Sequence, residues 1–127
     1  KMRRFLITLL LALPFALCSA QKTANVSVEQ AVEMIAKTKK LQIVDVRTPA
    51  EFKTGHIKGA VNIDFRDAEF EKKIKKQLKR KRPVLLYCRS GRRSLNAMNK
   101  MSTLKFKEVY NLEGGVIVWG KTQALEK

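Results

Sequence analysis

Eight residues late in the chain, Tyr87-Cys88-Arg89-Ser90-Gly91-Arg92-Arg93-Ser94, bring one thiol together with three guanidiniums, a glycine and two serine hydroxyls. A cysteine ordinarily ionises near pH ~8.5, and its thiolate is the reactive form. Ser90 and Gly91 tolerate a tight path that turns backbone N–H groups inward. A helical pattern starting near Arg93 or Ser94 directs its positive end back at the sulfur. Arg89, Arg92 and Arg93 add cationic charge, and the sequence leaves open which of them faces inward. The same loop can hold an oxyanion beside the sulfur. The chemistry this points to is attack by Cys88 on a tetrahedral sulfur or phosphorus anion. A thiol–imidazole pair would have to borrow His56, the only histidine, from a distant bend.

The flanking elements must place that loop. Val84 to Tyr87 is an apolar strand that Pro83 separates from the preceding helix, and Leu95, Met98, Met101 and Leu104 follow helical spacing on the other side. The methionines read as core. Upstream, Ser27 with Gln30 forms a capping box, with Val26 and Ala31 placed for a staple, before an apolar stripe through Val32, Ile35 and Ala36. Leu41 to Val46 reads as a strand whose end, Asp45-Val46-Arg47, carries opposite charges. Thr48, Pro49 and Glu51 form a second capping box with proline at the first helical position, and one short helical turn fits before Gly55.

Gly55-His56-Ile57-Lys58-Gly59 is a double bend leading into a short strand from Ala60 to Ile63, and His56 is expected to pin that bend by hydrogen bonds. Asp67 to Arg80 follows as a helix with Phe70, Ile74 and Leu78 as its buried stripe. Eight basic residues lie between Lys72 and Arg82. They read as a solvated face, with an acidic protein partner or membrane headgroups as the functional alternative. Lys107 to Leu112 is the last strand, and Gly114-Gly115 turns into a short apolar segment carrying Trp119. Strands alternating with helices predict an α/β fold, a parallel sheet covered on both faces with its ligand site at the carboxyl ends of strands.

The ends of the chain differ in character. Residues 1–20 run from a basic start, Lys1-Met2-Arg3-Arg4, through an apolar Phe5 to Leu17, to Cys18-Ser19-Ala20. That order is a signal peptide with cleavage after Ala20, which implies a periplasmic or secreted protein. An uncleaved anchor and lipidation at Cys18 are the alternatives. The apolar run has 13 residues, short for a roughly 30 Å hydrocarbon core. Residues 21–25 read as a disordered lead-in, 26–120 as the domain, and 121–127 as a polar tail that frays. Without the leader Cys88 is the only cysteine, so no internal disulfide can form and no metal set is apparent. Basic residues then fall from 27 to 24 against 11 acidic ones, a net charge of +13 that favours small anions. Nucleic acid is not expected, because aromatics do not interleave the basic run. No cofactor is implied, and a monomer is expected.

Four stretches in order resemble a single-domain rhodanese of the exported bacterial kind. They are Asp45-Val46-Arg47 with Glu51-Phe52, Gly55 to Ile63, Tyr87 to Ser94, and Asn111-Leu112-Glu113-Gly114-Gly115 before Trp119. The resemblance implies a five-stranded parallel sheet with helices on both faces. It also implies a thiosulfate sulfurtransferase that carries sulfur as a persulfide on Cys88 to cyanide or a thiol. Arg93 would be the arginine closing the loop, and the amides from Arg89 to Arg93 would hold the outer sulfur. Ser94 would place a hydroxyl near the thiol. Asp45 and Arg47 would brace neighbouring loops, with Glu51 and His56 as further support. In the related phosphatase and arsenate-reductase branch five residues separate cysteine from arginine. Here Arg89, Ser90, Gly91 and Arg92 are the four between Cys88 and Arg93, a ring suited to one sulfur atom. A sulfur carrier or a module docking an acidic partner through the basic helix is the alternative, and a cysteine phosphatase a weaker one.

Overall fold

Both capping boxes close in the computed structural model, which describes residues 21–127. Gln30 N–H donates to Ser27 Oγ while Ser27 N–H donates to Gln30 Oε1, starting α1 (Val28–Lys37). Thr48 and Glu51 do the same for α2 (Pro49–Lys53). Val26 and Ala31 are both buried in the same cluster, consistent with the staple. The remaining helices are α3 (Phe70–Gln77), α4 (Arg92–Thr103) and α5 (Gly115–Trp119).

Five strands, β1 (Lys22–Val26), β2 (Gln42–Asp45), β3 (Val61–Asn62), β4 (Val84–Tyr87) and β5 (Glu108–Leu112), form one sheet in the order β1-β5-β4-β2-β3. Every pairing is parallel. The central strand β4 is buried throughout, which explains its unbroken apolar sequence. Alternation along the strands divides the core. Val44, Val84, Leu86 and Val109 face α3 and α4, through Phe70, Ile74, Ala97 and Met101. Ile43, Leu85, Tyr87 and Leu112 face α1 and α5, through Ala31 and Trp119. Cys88 continues the first set, so its side chain leaves the sheet on the side of α4.

Two expectations about the ends are corrected. Residues 21–25 are not a disordered lead-in: Lys22–Val26 pairs with β5 in register from Lys22 opposite Glu108 to Val26 opposite Leu112. The strand sits at the sheet edge and buries only Val26, so backbone pairing rather than apolar side chains holds it. The 121–127 tail does not fray. His56 N–H donates to Glu126 O at 2.8 Å and Glu126 N–H to His56 O at 2.9 Å, while the Trp119 indole donates to Ala124 O.

The helix expected from Asp67 to Arg80 is shorter at both ends. Asp67 accepts from Glu69 N–H in a turn before α3. Beyond the helix, Gln42 Oε1 accepts from Lys79 N–H and its amide donates to Lys79 O, drawing the chain out of helical geometry. The signal peptide expected at 1–20, with Cys18, lies outside the described residues. Among the described residues no helix is long and apolar enough to cross a membrane.

Candidate active site

The strand β4 delivers Cys88 to the carboxyl edge of the sheet, and α4 begins four residues later. Gly91 makes the intervening bend at φ +104°, a left-handed conformation suited to glycine. A Cβ there would also come within 3.2 Å of Gly114 N. Leu95 N–H donates to Gly91 O and opens the helix. Asn111, from β5, donates its side-chain amide to the same carbonyl at 3.3 Å.

Outside the loop, α5 decides which way the peptide groups point. Val116 N–H donates to Cys88 O at 3.0 Å and Ile117 N–H to Arg89 O at 3.2 Å. With these two carbonyls held outward, the following amides turn in. The approach requires glycine: a Cβ on Gly115 would lie 2.4 Å from Cys88 O and 2.5 Å from Arg89 O. The sequence contained this signal as two consecutive glycines after β5, but not the partner they approach.

Cys88 is 1% exposed, yet its sulfur is hydrogen-bonded rather than packed in hydrocarbon alone. Gly91 N–H donates to Sγ at 3.0 Å and Ser94 Oγ–H at 3.3 Å. Burial pushes the thiol pKa up. The Ser94 hydroxyl, together with the amides of Ser94, Gly91 and Ser90, outweighs that effect and brings the pKa below the usual thiol value. The surroundings therefore favour the thiolate more than those of an ordinary cysteine do.

The structure gives the loop arginines the placement that the sequence left open. Arg93 is turned onto Glu51, with both guanidinium nitrogens 2.8 Å from the two carboxylate oxygens. Those bonds, reinforced by Thr48, hold the Glu51 carboxyl at about 2 despite its partial burial. Arg93 thus ties the start of α4 to the start of α2, and Glu51 serves both as helix cap and as ion-pair partner. Arg89, Ser90 and Arg92 are exposed at the rim.

Beneath the loop lies a second charged unit. Arg47 Nη2 is 2.7 Å from Asp45 Oδ2 and donates to Gly55 O at 2.6 Å. Burial works against the Arg47 charge, but the bonds to Asp45 raise its pKa overall. Tyr87 Oη accepts from Ile57 N–H, and burial raises that phenol's pKa strongly. His56 stacks on Phe52 with centroids 3.9 Å apart, and its Nδ1 faces Phe52 O at 3.2 Å. These contacts brace α2 and the Gly55 bend. A groove of about 510 Å³ beside the loop is lined by Arg47, Glu51, Arg89, Ile117 and Leu125, among others. A larger cleft lies over α3 and is lined by none of the Cys88 loop residues.

The rhodanese-like domain family matches residues 27–122. The chain belongs to that family. Relatives and neighbours agree with this. Thiosulfate sulfurtransferase GlpE of Shewanella oneidensis is 36% identical over 101 residues, covering 79% of this chain and 95% of the relative. The uncharacterized protein YqhL of Bacillus subtilis is 40% identical over 88 residues, covering 69% of this chain and 68% of its own. A crystal structure of a rhodanese-related protein from Thermoplasma volcanium superposes with a TM-score of 0.69 at 27% identity, over 84% of this chain and 98% of the other. Membership in the rhodanese-like family supports sulfur transfer in general, and the five-stranded parallel architecture is that of the family.

Proposed function

We propose that the chain moves the sulfane sulfur of thiosulfate to cyanide or a thiol through a persulfide on Cys88. The thiolate attacks the outer sulfur of thiosulfate. The sulfur–sulfur bond of the donor breaks, and sulfite leaves with the bonding pair. The Cys88 persulfide anion then gives its outer sulfur to cyanide, forming thiocyanate, or to a thiolate, forming a new persulfide. Either acceptor regenerates the Cys88 thiolate.

The observation that carries this reading is the hydrogen-bonded sulfur of Cys88, inside a loop whose Cys88 and Arg89 carbonyls are held outward by α5. Amides aimed inward stabilise the starting thiolate, and the same amides suit the anionic outer sulfur of a persulfide. Arg89 and Arg92 at the rim provide positive charge for an approaching dianion. In this reading Arg93 keeps the loop in place through Glu51.

Incubation of the full chain with thiosulfate is expected to add the mass of one sulfur atom at Cys88, removed again by cyanide with release of thiocyanate. Cys88→Ser should abolish both the adduct and turnover while leaving the fold intact. Absence of the adduct in the reduced wild-type protein would sink the proposal.

We further propose that residues 1–20 export the protein to the periplasm or beyond. The basic start, apolar run and small residues ending at Ala20 support this. Mass analysis of protein recovered from the producing cell should find a chain beginning at Gln21 outside the cytoplasm. A cytoplasmic chain retaining Phe5 to Leu17 would contradict it.

A further inference from the structure

A parallel sheet gathers all its strand starts at one end, here the end opposite the Cys88 loop. Three turns feed the amino ends of β2, β4 and β5. They carry Lys39 and Lys40, then Lys79, Arg80, Lys81 and Arg82, then Lys105 and Lys107. Residues 38–41, 79–83 and 105–107 contain no aspartate or glutamate. Lys22 begins β1 at the same end. Because β1, β5, β4 and β2 are neighbours in that order, the cations form a row across four adjacent strands. At strand spacings of about 4.8 Å the row is roughly 15 Å wide. The sequence reading placed basic charge on one helix, whereas the topology assembles it from separate turns.

The six lysines of these turns are exposed, and among the described residues none lies within ion-pair distance of a carboxylate. Lysines elsewhere do find partners: Lys37 with Glu33, Lys72 with Glu69, Lys73 with Asp67 and Lys100 with Glu71. Glu108, on β5, is the carboxylate nearest the row in sequence, placed opposite Lys22 in the sheet register. The row therefore remains an uncompensated surface on one end of the domain.

We propose that this end of the sheet seats on the anionic headgroups of a phospholipid bilayer, leaving the Cys88 loop facing away from it. The chain enters β1 at this same end. Gln21 lies four positions after Leu17, the last of the apolar run, and four residues span at most about 14 Å. Wherever Phe5 to Leu17 enters a bilayer, the lysine row is brought to that bilayer's surface. Each surface lysine near an anionic leaflet contributes about 1 kcal/mol, a contribution that fades within a Debye length. The row can hold the domain in this orientation whether or not the leader is later removed, and the inference is independent of the sulfur-transfer reading.

The test uses the full chain with phosphatidylcholine vesicles, with and without phosphatidylglycerol. One variant carries Lys39→Gln, Lys81→Gln and Lys107→Gln. A control of equal charge change carries Lys53→Gln, Arg66→Gln and Lys121→Gln, on segments leaving the opposite ends of β2, β3 and β5. Three lysines at about 1 kcal/mol each predict that the first variant loses about 100-fold in partitioning onto phosphatidylglycerol vesicles. The control should lose only a few-fold, and added salt should erase the difference. On those vesicles the row lysines of the wild type should resist acetylation while Lys53 and Lys121 react. Equal losses in both variants would overturn the proposal, as would row lysines that react on phosphatidylglycerol vesicles as fast as in solution. Preference of the row for an RNA or DNA oligonucleotide over the vesicles would overturn it as well. Unchanged thiosulfate turnover or an unchanged urea midpoint checks that the variants are folded.

Discussion

At the carboxyl ends of β2 and β4, Arg47 is locked to Asp45 and Arg93 to Glu51, whereas at the amino ends of the same strands Lys39, Lys40, Lys79 and Lys81 have no carboxylate partner among the described residues. The difference follows from solvent. Arg47 and Asp45 are buried, and Arg93 and Glu51 half-buried, so a charge there without a partner would be costly, and each pair fixes the position of a loop. The lysines at the other end keep their hydration, cost the fold little, and are free to meet something else. At the Cys88 end the hydrogen-bond donors to the sulfur are the Gly91 amide and the Ser94 hydroxyl, while the Arg93 guanidinium is committed to Glu51.

If rigid placement governs one end and free charge the other, the largest effect should come from disturbing the placement. Gly115→Ala would drive a methyl group into the carbonyls of Cys88 and Arg89 at a φ of +57°. We expect a stability loss of about 1–3 kcal/mol and a fall in sulfur transfer of about 100-fold, since a displaced loop misaims its amides. Urea denaturation and steady-state thiocyanate formation measure the two. Wild-type turnover in this variant would mean that α5 does not hold the loop.

Ser94→Ala removes the hydroxyl on the Cys88 sulfur while keeping the amides. The thiol pKa, held below its usual value in part by that hydroxyl, should rise. Alkylation by iodoacetamide and persulfide formation should then slow at neutral pH and recover in alkaline solution, where both proteins are thiolate. A rate reduced equally at every pH would assign Ser94 to packing instead.

Glu51→Ala breaks the tie between α2 and α4 and removes half of a capping box, an expected cost of about 1 kcal/mol at neutral pH. The folded carboxyl ionises at about 2. In the unfolded chain it ionises near ~4.3. A depressed folded value gives stability that is complete above the unfolded pKa and is lost as pH falls through the folded one. The gap between wild type and variant should therefore close between about pH 5 and pH 2, as followed by urea midpoints.

The smallest effect is expected at the far end. Replacing Lys39, Lys81 and Lys107 by glutamine should change stability by no more than about 0.5 kcal/mol per site. The change should be a slight gain at low ionic strength that disappears with salt. A large loss would mean that these lysines serve the fold and would remove the contrast between the two ends.

Much of the scaffold was legible because its signals are short-range. Ser27 with Gln30, Thr48 with Glu51, the apolar run of β4 and the left-handed Gly91 each rest on contacts a few residues apart or on one residue's steric freedom. The edge strand β1 was not legible. Only Val26 of it is buried, and the residues it pairs with lie 86 positions away. Nor was the returning tail, which is held to His56 by two backbone hydrogen bonds of Glu126, with a single carboxylate–imidazole contact of 3.5 Å between residues 70 positions apart.

The sequence alone determined which thiol heads the loop, how many residues separate it from Arg93, and that a helix begins just after it. Those properties depend on residue type and on neighbours along the chain. Only the folded structure decided that α5 holds the loop carbonyls outward, that Arg93 faces Glu51 across 42 positions, and that lysines from three turns share one surface. Hydration and charge neighbourhood depend on what packs across space, and the order of residues specifies that only through the completed sheet.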